Sequence, residues 1–270
     1  MRHLHLFEFL DQPWYPPLFR RMQADYLQAV ATRGAGPSYL VPLICKVLHA
    51  SGTTQIVDLC SGASGPWARL APQLAEAGVA VIVKLTDRYP SPDAIRRWAD
   101  SGSGKIEYVP NPVDALDVPS HLVGMRTIFE GFHHFRPAEA RAILQNAVLT
   151  RAPIGVFDMT PKAPLGIPFL LLAPLSTLLA YWLLTPLFRP LGAARLFWTY
   201  LVPLVPLATC WDGLVSFART YSPPQLRELT AGLRTPGYVW EAGQAPTGTP
   251  FLTYNYLLGY PDQGISAQSW

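Results

Sequence analysis

Charge is what this sequence has least of. Only 14% of its 270 residues are Asp, Glu, Lys or Arg, against about 25% in an average soluble domain. A net charge of +3 without a basic stripe excludes a nucleic-acid surface as its organising feature. Cysteine is scarce as well. Cys45, Cys60 and Cys210 are far apart, odd in number and in no ligand-like spacing. That excludes a disulfide framework and reads as reduced, buried thiols in a cytoplasmic chain. The opening MRHLHLFEFLDQPWYPP reads as no signal peptide, because Glu8 and Asp11 interrupt any apolar run. There is no internal repeat. Apolar residues, by contrast, make up half of the chain, and its 28 prolines are about twice the usual share. Such a composition is not that of a disordered chain, and the length suits one sizeable domain with an elaboration.

The apolar excess is local. Residues 163–188 form a run of 26 without a charge, and 196–211 form a second of 16 after Arg189 and Arg195. The first is long enough to span a bilayer. Pro164, Pro168, Pro174 and Pro186 are expected to interrupt it, and Pro203 and Pro206 to break the second. A single span would also separate two halves of one sheet. The expectation is therefore broken helices that lie in an interface or cap a greasy pocket.

Around this insert the pattern is regular. Leu18, Met22, Tyr26 and Val30 mark a helix that starts at Pro16-Pro17 and stops near Gly34 and Gly36. Leu40, Leu43, Ile44, Val47 and Leu48 mark a second. Strands are then expected at 54–60, 79–87, 105–110, 124–130 and 153–159, with helices at 67–78, 91–102 and 136–149 between them. Ser91 or Asp93 caps the helix at 91–102. Alternation at this spacing implies right-handed βαβ units and a mostly parallel sheet. Ser222 caps a helix at 223–233, and segments 237–246 and 249–261 read as an antiparallel pair. The fold class is thus α/β: a Rossmann-like, seven-stranded, mostly parallel sheet with a C-terminal antiparallel pair. Residues 1–52 form an N-terminal helical cap, 53–160 and 212–270 the core, and 161–211 the apolar helical insert after strand five.

In such sheets ligands sit beyond the carboxyl ends of the strands. Asp58-Leu-Cys-Ser-Gly62-Ala-Ser-Gly65 follows strand one, with glycines that let the backbone turn and approach a ligand. Asp87 ends strand two, 22 residues after Gly65, at the distance of a ribose-binding acid. DALDVP, with Asp114 and Ala115, follows strand three, and Glu130-Gly131-Phe132-His133-His134-Phe135 follows strand four. GAGPS at 34–38 follows a helix, and 61–65 lacks Gly-x-Gly-x-x-Gly spacing, which disfavours a nicotinamide oxidoreductase. A metal site finds no support, since His133 and His134 are adjacent with no carboxylate at ligand spacing; His3 and His5 lack a third ligand.

The ordered set VDLCSGASG, LTDR, DALDVP and FEGFHHF, with the terminal strands, resembles the class I S-adenosylmethionine-dependent methyltransferases over roughly 54–158 and 222–261. The resemblance implies S-adenosylmethionine as cofactor. Asp58, Cys60, Ser61, Gly62 and Gly65 would meet its methionyl end, and Asp87 with Arg88 the ribose. Asp114 and Ala115 would flank the adenine, and Glu130, Gly131 and Phe132 the sulfonium. Cys60, Ser61, Ala63 and Ser64 depart from the usual glycine pattern, and the long insert points to an unusual acceptor.

His133 and His134 are candidate bases. Methyl transfer from a sulfonium needs little beyond in-line placement, so a structural or pocket-wall role is preferred for them. Asp158 is read either as facing the acceptor or as solvated surface. Asp212, Arg219 and Tyr221 would meet an acceptor's polar head, with turn capping the other reading of Asp212. The insert is read as a peripheral membrane contact through 163–211, with Tyr181, Trp182, Trp198 and Tyr200 at the interface and Arg189 and Arg195 among headgroups. Its alternatives are a lid or a homodimer surface. The expected activity is methyl transfer to a hydrophobic, lipid-like small molecule; the alternative is a non-catalytic, membrane-associated scaffold or ligand sensor.

Overall fold

The computed structural model describes residues 4–33, 36–63, 65–100, 104–164, 166–188 and 191–262. His3, Gly34, Ser64 and Arg189, all named above, lie outside the described residues. Among the described residues seven strands form one sheet: β1 (Gln55–Leu59), β2 (Ile82–Leu85), β3 (Ile106–Tyr108), β4 (Met125–Phe129), β5 (Ile154–Pro161), β6 (Tyr238–Pro246) and β7 (Leu252–Pro261). Their order is β3-β2-β1-β4-β5-β7-β6. β1 to β5 run parallel, while β7 pairs antiparallel with both β5 and β6. The order reverses between β1 and β4, so a switch point opens beyond their carboxyl ends.

Alternation along each strand divides the core. Ile56, Val83, Leu85 and Phe157 face helices α2 (Val41–Ser51), α3 (Trp67–Glu76) and α4 (Pro92–Asp100). Val57, Leu59, Ile128 and Val156 face α5 (Pro137–Leu149) and α9 (Pro223–Thr230). Local chemistry fixes the helix starts. The Ser91 hydroxyl accepts from the Ala94 N–H at 3.3 Å ahead of α4, and Ser222 and Gln225 form a reciprocal capping box ahead of α9.

A separate layer joins α1 (Pro17–Arg33), α6 (Gly166–Leu184) and α8 (Leu204–Arg219) through Met22, Tyr26, Ala29, Tyr181, Phe188 and Val205. Here the proline expectation needs correction. Pro168 lies in the first turn of α6, where the missing N–H would have no partner anyway, and Pro174 sits inside the helix without ending it. α6 therefore runs for 19 residues, and the segment Leu170–Leu187 is long and apolar enough to cross a membrane with only 11% of it buried. The second run does break. α7 (Ala193–Leu196) and the π turn Phe197–Leu201 meet α8 at 66°, at Pro203.

Two expectations about the insert also change. Arg195 is buried, paired with Asp25 and set 5.3 Å from the Phe188 ring, so it is no headgroup ligand. Tyr181 is fully buried and stacks on Tyr26 at 4.2 Å, and Trp198 packs against Phe19, whereas Trp182 and Tyr200 are exposed. Among the cysteines Cys210 is buried, Cys45 and Cys60 are partly buried, and all three are free thiols.

Candidate functional site

The end of β1 is built around one buried carboxylate. Asp58 accepts from the Ser61 hydroxyl and the Thr127 hydroxyl, each at 2.6 Å, and its backbone oxygen accepts from Thr86 N–H at 2.8 Å. These bonds lock the strand end to the loop that follows. Asp58 thus braces the loop from below and leaves the outer surface to its neighbours. Burial pushes its carboxyl up to about 7, assisted by the Asp87 charge and opposed by the bonds from Ser61 and Thr127. A folded-state value above the unfolded one means the native state keeps a proton that the unfolded chain loses. Stability from this group falls as pH rises through that interval. Asp58→Asn should therefore gain on the wild type by roughly 2 kcal/mol between pH 5 and 8, measured by urea unfolding at both pH values. Parallel pH curves for the two proteins would contradict this.

Above Asp58 the backbone turns sharply. Cys60 has φ 58° and Gly62 φ 52°. The Gly62 N–H donates to Asp87 Oδ2 at 2.8 Å, and its carbonyl accepts from the Tyr108 hydroxyl at 2.7 Å. A Cβ at Gly62 would meet no atom of the described residues beyond its chain neighbours within 4 Å, so open space lies over this part of the loop. Asp87 also accepts from Tyr89 N–H at 2.8 Å and is half-buried at the lip of that space. Burial raises its carboxyl despite those two backbone bonds. Arg88 lies outside, exposed, with its Nε 3.8 Å from Asp114. Asp114 Oδ1 accepts from Leu116 N–H, and Ala115 is buried against the α5 side of the core.

β4 delivers the other wall. Glu130 has φ 51°, and its carboxylate accepts from Met159 N–H at 3.0 Å. Its surface is exposed, yet the protein crowded around this recess and the Asp158 charge push its carboxyl well up. Gly131 packs tightly: a Cβ there would lie 3.2 Å from both Cys60 Cβ and Ile128 Cγ2, and a larger residue would push the two strand ends apart by a few tenths of an ångström. The Cys60 thiol is pushed up by burial and by Asp87, Asp58, Asp114 and Asp158, so it stays protonated. Cys60 and Glu130, non-glycine residues in the left-handed region, thus end adjacent strands on the two sides of one opening. Such conformational cost concentrates at functional sites.

The remaining sequence candidates lie deeper. Phe132 is fully buried against Tyr221. Tyr221 is a core residue whose hydroxyl donates to the Phe135 carbonyl at 2.7 Å. Asp158 is buried, accepts from His133 N–H at 3.0 Å and is not solvated surface. Arg219 and Asp212 hold the N-terminal segment in place of an acceptor. Arg219, wholly buried, donates to Glu8 Oε1 at 2.9 Å, Asp11 Oδ2 at 2.8 Å and the His134 carbonyl at 3.0 Å. Asp212, mid-helix in α8, accepts from Phe9 N–H at 2.7 Å, Leu10 N–H at 3.2 Å and Gln23 at 3.2 Å. His134 Nδ1 meets Asp11 Oδ1 at 2.8 Å. Burial works against charge on His134, but Asp11 and Glu8 outweigh it and raise its value. Burial likewise opposes charge on Asp11, and His134 and Arg219 reverse the sign and lower it.

Glu8 and Asp11 are the functional-region residues that the sequence reading missed. They figured there only as interruptions of an apolar run. Thr86, Thr127 and Tyr108 were missed too, because a hydroxyl that ties one strand end to the next carries no spacing signature. The cavity of about 350 Å³ lined by Arg227, Arg234, Tyr238 and Trp240 lies elsewhere. Trp240 pairs with Gly259, and Gly259 with Ile154 at the start of β5, which puts it at the amino end of the parallel strands.

Neither a protein-family model nor a curated protein matches the sequence. Solved structures do match. A mitomycin 7-O-methyltransferase aligns with a TM-score of 0.52 at 18% identity, over 93% of this chain and 60% of that one. The chain has the class I methyltransferase fold. Two further structures also align: human N-acetylserotonin methyltransferase in complex with SAM (TM-score 0.46, 14% identity, 90% of this chain and 55% of that one) and magnesium protoporphyrin IX methyltransferase from Synechocystis PCC 6803 with bound SAH (0.44, 15%, 83% of each). The likeness at these identities is one of fold, and this chain spans about 60% of the length of the mitomycin enzyme.

Proposed function

We propose that this protein transfers a methyl group from S-adenosylmethionine to a hydrophobic small molecule taken up at a membrane surface on the cytoplasmic side. The observation that carries the reading is the Asp87–Gly62 hydrogen bond beneath open space at the switch point. It holds an acid, a bare stretch of backbone and the Glu130 recess around one opening. Asp87 is placed to accept from ribose hydroxyls, Gly62 lets the methionyl end lie against backbone, and Asp114 and Ala115 border the adenine side. When bound, the cofactor supplies an activated methyl on a sulfonium. The chain's task is then to align the acceptor in line and to keep water out, which provides much of the rate enhancement. His133 is buried behind Glu8 and Asp158, so proximity is the preferred source of catalysis.

The membrane part of the reading is supported by α6. Leu171, Leu175, Leu179 and Leu183 form an exposed stripe, with Leu171 at 80% exposure. Exposed Leu201, Leu204, Leu207 and Trp211 extend the apolar surface onto the α8 side. A water-exposed surface of this size is rare in a soluble monomer. The opposite face of α6 packs on α1, which carries exposed Arg21, so a helix lying in one leaflet suits it better than a span. Leu175→Glu with Leu179→Glu should cut sedimentation with liposomes by about tenfold or more and leave the fold intact, since both side chains point outward. Unchanged sedimentation, or a dimer that the double variant dissolves, would reassign the face. Methyl transfer itself is tested by incubating the protein with membrane-lipid extract and isotope-labelled S-adenosylmethionine, then examining the extract by mass spectrometry. A labelled apolar product is expected; no labelled product from any extract would count against the reading.

A further inference from the structure

The fold gathers a second constellation just behind the proposed methyl-transfer opening. Glu8 comes from the N-terminal segment, and His133 and His134 from the 3₁₀ turn Phe132–His134 after β4. Each offers one donor atom, and the three donors lie within 4.8 Å of one another. His133 Nε2 is 3.9 Å from Glu8 Oε1, and His134 Nδ1 is 3.7 Å from Glu8 Oε2. Donors around a tetrahedral zinc ion, at ~2.1 Å from the metal, are about 3.4 Å apart. The two imidazole–carboxylate distances exceed this by a few tenths of an ångström, and the three-donor set, at up to 4.8 Å, would have to draw in by about an ångström to hold an ion.

Two observations set it apart from an ordinary ion-pair network. The His133 side chain is buried, and among the described residues neither of its ring nitrogens has a hydrogen-bond partner. Most buried polar atoms are paired, and one left bare usually marks a missing water, proton or ion. Carboxylates also converge on the two imidazoles: Glu8 and Asp158 flank His133, and Asp11, paired with Arg219, meets His134 Nδ1 at 2.8 Å. The surroundings have the form of an outer shell as well. Asp158 Oδ1 stands 3.5 Å from His133 Nδ1, on the side away from Glu8, as a carboxylate stands behind a metal-bound imidazole. Arg219 fixes Glu8 Oε1 at 2.9 Å and leaves Oε2 facing His134.

We infer that Glu8, His133 and His134 form a binding site for a borderline divalent transition-metal ion of the zinc class. Two imidazoles and one carboxylate suit such an ion better than magnesium or calcium, which prefer all-oxygen cages. With three protein ligands a fourth position stays open, and the ion ties the N-terminal segment to the loop after β4. The site stands independently of the methyl-transfer reading.

The test uses tag-free full-length protein, stripped with chelator and titrated with Co²⁺ as a spectroscopic probe and then with Zn²⁺ in competition. One equivalent of Co²⁺ should bind with visible d–d bands, and Zn²⁺ should displace it. His133→Asn and Glu8→Gln should each weaken binding on the order of 100-fold. X-ray absorption on the zinc-loaded wild type needs no variant and should show two imidazoles with oxygen ligands. No stoichiometric binding, binding unchanged in both variants, or an oxygen-only shell would each overturn the site.

Discussion

Arg219→Met should lower stability by about 3–5 kcal/mol, the usual cost of removing one partner from a buried ion pair. Glu8 is as inaccessible as Arg219, and the guanidinium also ties down Asp11 and the His134 carbonyl. Without it, the buried Glu8 carboxylate loses the cation that answers it, while Asp11 keeps access to water. The sheet should survive, because its core is packed on other helices, whereas the N-terminal segment should come away. Urea denaturation reads the energy, and limited proteolysis within residues 4–15 reads the location. A loss below about 1 kcal/mol with an equally protected segment would show that Asp212 and the Trp211 bond to the Phe7 carbonyl suffice to hold it.

Asp87→Ala should weaken S-adenosylhomocysteine binding about 100-fold or more. Hydrogen bonds to a charged group contribute about 1.5–3 kcal/mol each. Asp87 would lose those to the ribose and its hold on the Gly62 and Tyr89 amides together. The folded state should be little affected, since Asp87 lies at the lip of the opening, outside the hydrophobic core. Calorimetry with thermal unfolding as a control separates binding from stability. Affinity within threefold of the wild type would remove Asp87 from the ribose.

The sheet was legible in the sequence because its signals are local. Strands at 54–60 and 153–159 are short apolar runs bounded by turns, and the caps at Ser91 and Ser222 are visible in the letters. The order of loops at the strand ends follows from the alternation itself. The first run of the insert departs from expectation where a local rule met tertiary context: proline costs a helix one bond, but α6 recovers the loss by packing Tyr181 and Leu184 against its neighbours. The region around Arg219 was opaque for another reason. Glu8 is 211 residues from Arg219 and 125 from His133, and no periodicity connects them. Burial changes what such residues do. Asp212 and Arg219 read as polar groups for a ligand, but once enclosed they had to be answered from within the chain.

The central claim is that a methyl donor lies at the carboxyl ends of β1, β2 and β4, between Gly62, Asp87 and Glu130. Hydrogen–deuterium exchange with and without S-adenosylhomocysteine tests it most directly. The account predicts added protection in the segments around 60–63, 86–89 and 129–132, with the β6–β7 hairpin unchanged. Protection confined to other segments, or none at saturating ligand, would contradict it.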